Sequence, residues 1–134
     1  MNKPLQKQLI KLQNKDQEMR ASGTWDEKID FTNTKTLKKI IEKYGWPDEI
    51  LVGKEGAEAA WLIAQHADHD VNFQKMCLML MQTHKSPISK IHLAYLSDRI
   101  NVNEGKKKQK YGTQFYFDKK SNKLLPQPIA DKKI

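Results

Sequence analysis

Apolar residues recur every three or four positions through most of the chain, which is the spacing of one face of an α-helix. Leu5, Leu9 and Leu12 stand among lysines and glutamines, and they predict an amphipathic helix over about residues 4–20. Residues 24–31 lack this spacing. We therefore expect one helix at the start of the chain, followed by an irregular segment.

Three further helices follow from the same spacing. Asn33 or Thr34 can cap a second helix, and Gly45 is a suitable C-terminal stop for it. A third helix is expected over about residues 55–66, and a fourth over about residues 70–84. Both of these segments carry an apolar face, so we expect them to pack in the core.

The pattern changes in the last quarter of the chain. A fifth helix is expected over residues 88–99, and Gly105 ends the helical region. Aromatic and β-branched residues over 111–117, followed after a polar stretch by residues 123–125, predict a short β-hairpin. The sequence therefore predicts an α+β fold that is mostly helical, with about five helices and a small C-terminal hairpin.

The length of 134 residues fits a single domain. Its expected parts are an N-terminal helix with an irregular segment (1–32), a helical core (33–105) and a basic hairpin with its tail (106–134). The sequence has no apolar run long enough to cross a membrane, and its N-terminus lacks the apolar core of a signal peptide. We expect a cytoplasmic protein without a membrane partner.

The positive charge is concentrated near the C-terminus. Residues 106–134 contain nine lysines and two aspartates, and the lysines surround the aromatic run Phe115-Tyr116-Phe117. Such a combination can hold a nucleic-acid backbone while aromatic rings stack on bases, so residues 106–123 are a candidate nucleic-acid surface. Lysines that only keep an exposed hairpin soluble would give the same pattern. Both interpretations stay open.

Candidate chemistry is concentrated in the run Gln65-His66-Ala67-Asp68-His69-Asp70. If the third helix continues through this run, His66 and His69 share one face and, with Asp70, can ligate a divalent metal. If the helix ends near Ala67, Asp70 instead caps the fourth helix. We favour the second geometry, which leaves both histidines in a corner between two helices, with Asp68 available to orient one ring.

The remaining reactive side chains suggest structural roles. His84 and His92 lack comparable neighbours in the sequence, and Cys77 lies in an apolar run that indicates burial. No nucleotide-cofactor motif is present in the sequence, and a requirement for a divalent metal stays open.

Several longer motifs provide a further comparison. They are Gly45-Trp46-Pro47, Leu51-Val52-Gly53-Lys54-Glu55-Gly56, Ala59-Ala60-Trp61-Leu62, the run 65–70, Ala94-Tyr95-Leu96-Ser97-Asp98-Arg99, Tyr111-Gly112-Thr113-Gln114 and Pro126-Gln127-Pro128. Together these motifs resemble an uncharacterised bacterial family, domain of unknown function 6624. Two departures are visible: Val71 replaces a usual proline, and the chain ends at Ile134, before an arginine-containing segment that the family usually carries.

The resemblance groups a set of polar residues: His66, His69, Asp70, Asp98, Arg99, Tyr111, Thr113 and Gln114. Our hypothesis is that these residues converge on one pocket. In it we expect catalytic roles for His66, His69, Arg99 and Tyr111, and substrate contacts from Gln65, Asp98, Thr113 and Gln114. In this interpretation Arg99 holds an anionic group through its planar guanidinium. The alternative is a structural network in which Asp98 or Asp70 pairs with Arg99.

The predicted pocket suits hydrolysis or group transfer on a phosphate- or carboxylate-bearing substrate. One version is a metal-independent nuclease with His66 as the base and His69 as the acid. The alternatives are a non-catalytic module that binds an anionic small molecule, and an adaptor that binds nucleic acid or protein through the basic hairpin. The sequence leaves open whether the protein is an enzyme.

Overall fold

A computed structural model describes residues 1–84, 90–105 and 108–129 of the chain. It contains five helices and a two-stranded antiparallel hairpin, which confirms the predicted α+β fold. The chain forms two compact units, Met1–Ile88 and Ser89–Ile134, and each is described by itself. The expectation of a single domain stays a prediction.

Helix α1 spans Lys3–Ala21, close to the predicted bounds. The side chain of Asn2 caps it by accepting a hydrogen bond from the amide of Leu5 at 3.1 Å. The buried face of α1 is apolar apart from one residue, Asp16. This helix packs against α2 and α3, so Asp16 is carried into the interior of the first unit.

Helix α2 spans Glu27–Tyr44, so the predicted start near Asn33 or Thr34 was wrong. The predicted irregular segment is confirmed over residues 24–26 and wrong from Glu27 onward. The helix starts earlier because Asp26 is the cap: its side chain accepts from the amide of Lys28 at 3.1 Å. Asn33 is buried instead, and its amide donates to the carbonyl of Leu12 in α1 at 3.2 Å. Gly45 ends the helix as predicted.

Helix α3 spans Glu49–Gln65 and starts before the predicted residue 55. Asp48 caps it by accepting from the amide of Leu51 at 2.8 Å. The backbone leaves helical geometry at Gly53, where φ is 72°, and this break interrupts the apolar spacing on which the prediction relied. Beyond the break, small residues such as Ala59 and Ala60 have no exposed surface, and α3 packs closely on α1.

Helix α4 spans Val71–Thr83 and completes the described part of the first unit. Asp70 is its N-cap, as predicted, and accepts from the amide of Phe73 at 3.0 Å. Buried Gln74 donates from Nε2 to the carbonyls of Ala64 and Gln65 at 3.1 and 3.2 Å. The carbonyl of Ala64 also accepts from the amide of Ala67 at 3.1 Å. Both carbonyls lie in the last turn of α3, so Gln74 joins the end of α3 to the start of α4.

The second unit contains α5 (Lys90–Glu104), β1 (Phe115–Asp118) and β2 (Lys123–Pro126). The predicted start of α5 at residue 88 lies outside the described residues. The strands pair in antiparallel fashion, with Phe115 opposite Pro126 and Asp118 opposite Lys123. Within the ranges that the structure covers, none of the helices has the length and apolar content to cross a membrane.

Candidate functional site

The connection between α3 and α4, residues 66–70, holds the predicted histidines. His66 is the C-terminal cap of α3, and its backbone amide donates to the carbonyl of Leu62 at 3.1 Å. The amide of Asp70 donates to the carbonyl of Ala67 at 3.0 Å. The helix therefore ends where the capping interpretation placed it, and the turn fixes His66 and His69 between two helices.

His66 pairs with a residue that was not predicted as a site residue from the sequence. Its Nδ1 atom lies 2.6 Å from Oδ2 of Asp16 in α1. The Asp16 side chain is 1% exposed, whereas that of His66 is 17% exposed. A buried carboxylate thus holds one nitrogen of a ring that reaches the surface.

Asp16 belongs to a wider set of charges. Arg20, one turn further along α1, lies 3.0 Å from Oδ2 of Asp16. The same guanidinium donates two hydrogen bonds of 3.1 Å to the carboxylate of Asp30 in α2. Such a two-bond pair fixes the plane of the guanidinium. The network joins α1, α2 and the end of α3 around one buried carboxylate.

The protonation of Asp16 follows from these contacts. Burial alone raises the pKa of a carboxyl, but the hydrogen bond and the charge of His66 oppose it. With the smaller contributions of the Gln17 hydrogen bond and the Arg20 charge, they lower the pKa of Asp16 below its usual value. Asp16 is therefore ionised at neutral pH. Because a carboxylate can only accept hydrogen bonds, the proton of a neutral His66 ring is assigned to Nδ1.

The other nitrogen of His66, Nε2, makes no hydrogen bond to the part of the chain that the structure describes. With the proton on Nδ1, Nε2 carries the lone pair. An imidazole whose Nδ1–H is held by a carboxylate is fixed in its orientation and tautomer. This arrangement is suited to accepting a proton from a molecule in front of the ring.

His66 lies in the wall of a cleft of about 150 Å³. The other lining residues are Trp25, Glu27, Asp30, Phe31, Asp68 and His69. Pockets for small molecules are usually larger, about 300–1,000 Å³. This cleft therefore has room for a small molecule or for the reacting end of a larger one.

Two aromatic residues, Trp25 and Phe31, line the cleft. The rings of Phe31 and His69 meet edge to face, with centroids 4.4 Å apart. Trp25 has the guanidinium of Arg20 over its ring at 4.9 Å. The contact of Trp25 with Arg20 connects the cleft lining to the charge network of Asp16, Arg20 and Asp30. Both histidines of the run 65–70 line this cleft.

The two remaining polar members of the motif have other surroundings. Gln65 is buried in the last turn of α3 and is not a lining residue of the cleft. Besides capping α4, Asp70 lies 2.6 Å from Nζ of Lys38, a contact that lowers the pKa of Asp70. The structure thus gives Asp70 two partners within the fold.

No three His, Cys, Asp or Glu side chains within residues 1–84, 90–105 and 108–129 are grouped so as to hold a metal ion. The metal-ligand role of His66, His69 and Asp70 therefore stays a prediction from the sequence.

In the second unit, Asp98 organises the loop before β1. This fully buried carboxylate accepts from the amides of Lys110 and Tyr111 at 2.7 and 2.9 Å. It also accepts from the amide and the hydroxyl of Thr113, at 3.0 and 2.8 Å. Four donors occupy the acceptor positions of a carboxylate. These contacts support a role for Asp98 in shaping the loop.

Two further residues predicted for the site, Gln114 and Arg99, are linked to Thr113 of that loop by hydrogen bonds. Gln114 is buried; its Nε2 donates to Oγ1 of Thr113 at 3.0 Å, and its Oε1 accepts from Arg99 at 3.1 Å. Tyr111, in contrast, is 62% exposed. The structure therefore brings Asp98, Arg99, Thr113 and Gln114 into one hydrogen-bonded chain. Convergence of this group with His66 and His69 on one pocket stays a prediction.

Sequence reasoning missed Asp16, Arg20, Asp30 and Gln109. A signal existed for Asp16, because it continues the apolar stripe of Leu5, Leu9 and Leu12 on α1. A charged residue on such a stripe requires a buried partner. No sequence signal identifies that partner as His66, 50 residues away.

Fold and contacts together define a small helical protein with an Asp–His pair beside a cleft and a hairpin held by buried polar side chains. The chain belongs to the Family of unknown function (DUF6624), whose model matches residues 4–132. The family resemblance is thereby confirmed. Neither a curated protein nor a solved structure matches the chain.

Proposed function

We propose that this protein is a hydrolase or a transferase in which His66 is the general base. The observation that carries the proposal is the 2.6 Å contact between Nδ1 of His66 and the buried carboxylate of Asp16. That contact orients the ring and leaves Nε2 to take a proton. Asp16 is a positioning residue in this scheme, since it acts through His66.

The reaction step uses water or another hydroxyl as the nucleophile. Nε2 of His66 removes the proton from the hydroxyl while its oxygen bonds to a phosphorus or carbonyl carbon. The bond to the leaving group then breaks, and the leaving group takes a proton from His69, which lines the same cleft. The small volume of the cleft implies that only the reacting end of a substrate enters.

The substrate class is the finer part of the proposal. A phosphate- or carboxylate-bearing substrate is supported by the two histidines that line the cleft. Glu27 and Asp68 in the cleft wall oppose an anion, because like charges at short range repel. If the substrate is anionic, Glu27→Gln should lower its KM, whereas a cationic substrate would be bound more weakly.

The test is turnover of a panel of small phosphate and carboxylate esters, with an amine-bearing ester included. We expect His66→Ala to lower kcat by about 100-fold or more, which is the usual contribution of a general base. Asp16→Asn should lower kcat with little change in KM. His92→Gln, outside the cleft, is the matched control. Undiminished turnover in His66→Ala would refute the proposal.

A second candidate is a binding module without turnover. The network of Asp16, Arg20 and Asp30 favours it, because joining α1 to α2 accounts for the buried Asp16 without a catalytic role. In that case a thermal-shift screen should find a ligand that is recovered chemically unchanged after incubation. Product formation that depends on His66 would exclude this candidate.

A further inference from the structure

The β-hairpin of the second unit displays aromatic and apolar side chains to solvent. Phe115 is 55% exposed and Leu124 is 69% exposed, and Tyr116 is also exposed. In the strand register, Phe115 lies opposite Pro126, so Phe115, Leu124 and Pro126 share one face. Tyr116 lies on the other face, opposite Leu125. Both faces of the hairpin thus carry a ring at the surface.

Lysines flank these rings at both ends of the hairpin. Lys108 and Lys110 are exposed in the loop before β1, Lys119 and Lys120 are exposed in the turn, and Lys123 is exposed at the start of β2. The only carboxylate between residues 108 and 129 is Asp118. Asp118 accepts hydrogen bonds from Ser121 and closes the turn. The surface is therefore strongly cationic.

Buried polar groups hold this surface in place. The side chain of Gln109 donates to the carbonyls of Gln114 and Gln127 at 2.9 and 2.7 Å, and it accepts from the amide of Gln114 at 2.8 Å. Asp98 fixes the preceding loop through four hydrogen bonds. Gln109 thus links the residue before β1 to the residue after β2. Little conformational entropy is then lost when a ligand binds.

We infer that the exposed aromatic residues and flanking lysines of this hairpin bind single-stranded nucleic acid. Lysines that follow a phosphate backbone, combined with rings on which bases stack, are the shared features of such surfaces. A duplex hides the faces of its bases, so stacking on Phe115 and Tyr116 requires a single strand. The inference does not depend on the proposed activity of His66.

The inference is tested by fluorescence anisotropy of the full chain with a labelled mixed-sequence oligonucleotide of about 12 nucleotides. Single-stranded RNA, single-stranded DNA and a duplex of the same length form the three arms. We expect tighter binding of the single strands than of the duplex. Equal affinity for the duplex, or no binding at about 50 mM salt, would overturn the inference.

Two sets of variants separate charge from stacking. The triple variant Lys119→Ala, Lys120→Ala and Lys123→Ala should lower affinity about tenfold and reduce the salt slope by about 2, at about 0.7 per lost phosphate contact. The triple variant Lys7→Ala, Lys11→Ala and Lys39→Ala removes the same charge from exposed positions of the first unit and is the matched control. An equal loss in the control would show that only net charge matters.

The aromatic variants test the second component. Phe115→Leu keeps an apolar side chain but removes the ring, so affinity should fall about fivefold or more with the salt slope unchanged. Unchanged affinity in both Phe115→Leu and Tyr116→Leu would overturn the stacking role. Polyglutamate that competes as well as the oligonucleotide would indicate an acidic protein partner instead. His66→Ala should bind normally, which keeps this test separate from the proposed activity.

Discussion

Asp16 and His66 belong to different elements of the first unit, and their side chains meet at 2.6 Å although 50 residues separate them in the sequence. Asp16 is carried by the buried face of α1, and His66 is the residue that ends α3. The pair therefore requires the packing of α3 on α1. Any loss of that packing removes the orienting carboxylate from His66.

Stability should depend on the charge of Asp16. Asp16→Asn should lower the free energy of unfolding by about 1–3 kcal/mol at neutral pH, since it removes hydrogen bonds from a buried charged group. The folded-state pKa of Asp16 lies below the usual 3.8. Its stabilising contribution is therefore complete above the usual pKa and is lost as the pH falls through the lowered folded-state value.

Urea unfolding of wild type and Asp16→Asn, at neutral pH and at a series of pH values falling below 3.8, checks this prediction. The difference between the two proteins should shrink in acid. Glu18→Gln removes an exposed carboxylate from the same helix and serves as the control. A difference that stays constant over this pH range would contradict the assignment of the charge.

The N-cap of α4 gives a second prediction. Asp70→Ala should cost about 1 kcal/mol, because the amide of Phe73 loses its acceptor. Asp70→Ser keeps an acceptor and loses only the half-exposed pair with Lys38, which is worth less than about 1 kcal/mol. Thermal unfolding of both variants distinguishes the two contributions. Equal losses would indicate that the Lys38 pair dominates.

Cys77 should be unreactive in the folded protein. It has no exposed surface, and burial raises the pKa of its thiol, so both access and the thiolate fraction are low. Labelling with a chromogenic disulfide reagent should be slow in buffer and rapid in denaturing urea. Rapid labelling of the native protein would show that α4 opens readily.

Asp98 gives a prediction for the second unit. Asp98→Asn replaces two acceptor positions with an NH2 group that faces backbone amides, leaving donors unpaired at a cost of about 1–3 kcal/mol each. Amide hydrogen exchange at Lys110, Tyr111 and Thr113 should become faster. Asp118→Asn, in the exposed turn, should leave exchange at these three amides unchanged. Slow exchange in Asp98→Asn would contradict the role assigned to Asp98.

Local rules predicted the helices well, because apolar spacing and capping act over a few residues. The cap at Asp70 is an example: an acceptor placed three residues before an amide can be identified from the sequence. The start of α2 was wrong because Asp26, rather than Asn33, provides the cap, and both residue types are suitable for it. Periodicity alone did not choose between them.

The candidate site was harder to predict, because its central contact is not local. His66 and His69 could be nominated from their spacing, but Asp16 becomes a partner only when α1 packs on α3. Similarly, the four hydrogen bonds of Asp98 depend on how the chain folds back after α5. Such contacts require tertiary structure, which a pattern of apolar and polar residues does not specify.

The buried polar residues that hold the hairpin have a consequence for mutational tolerance. In a library selected only for abundance, Asp98 and Gln109 should accept few substitutions, whereas the exposed lysines and rings should accept many. A library selected for oligonucleotide binding should also reject changes at Lys119, Lys120 and Phe115. The difference between the two selections would separate the residues that build the hairpin from those that contact its ligand.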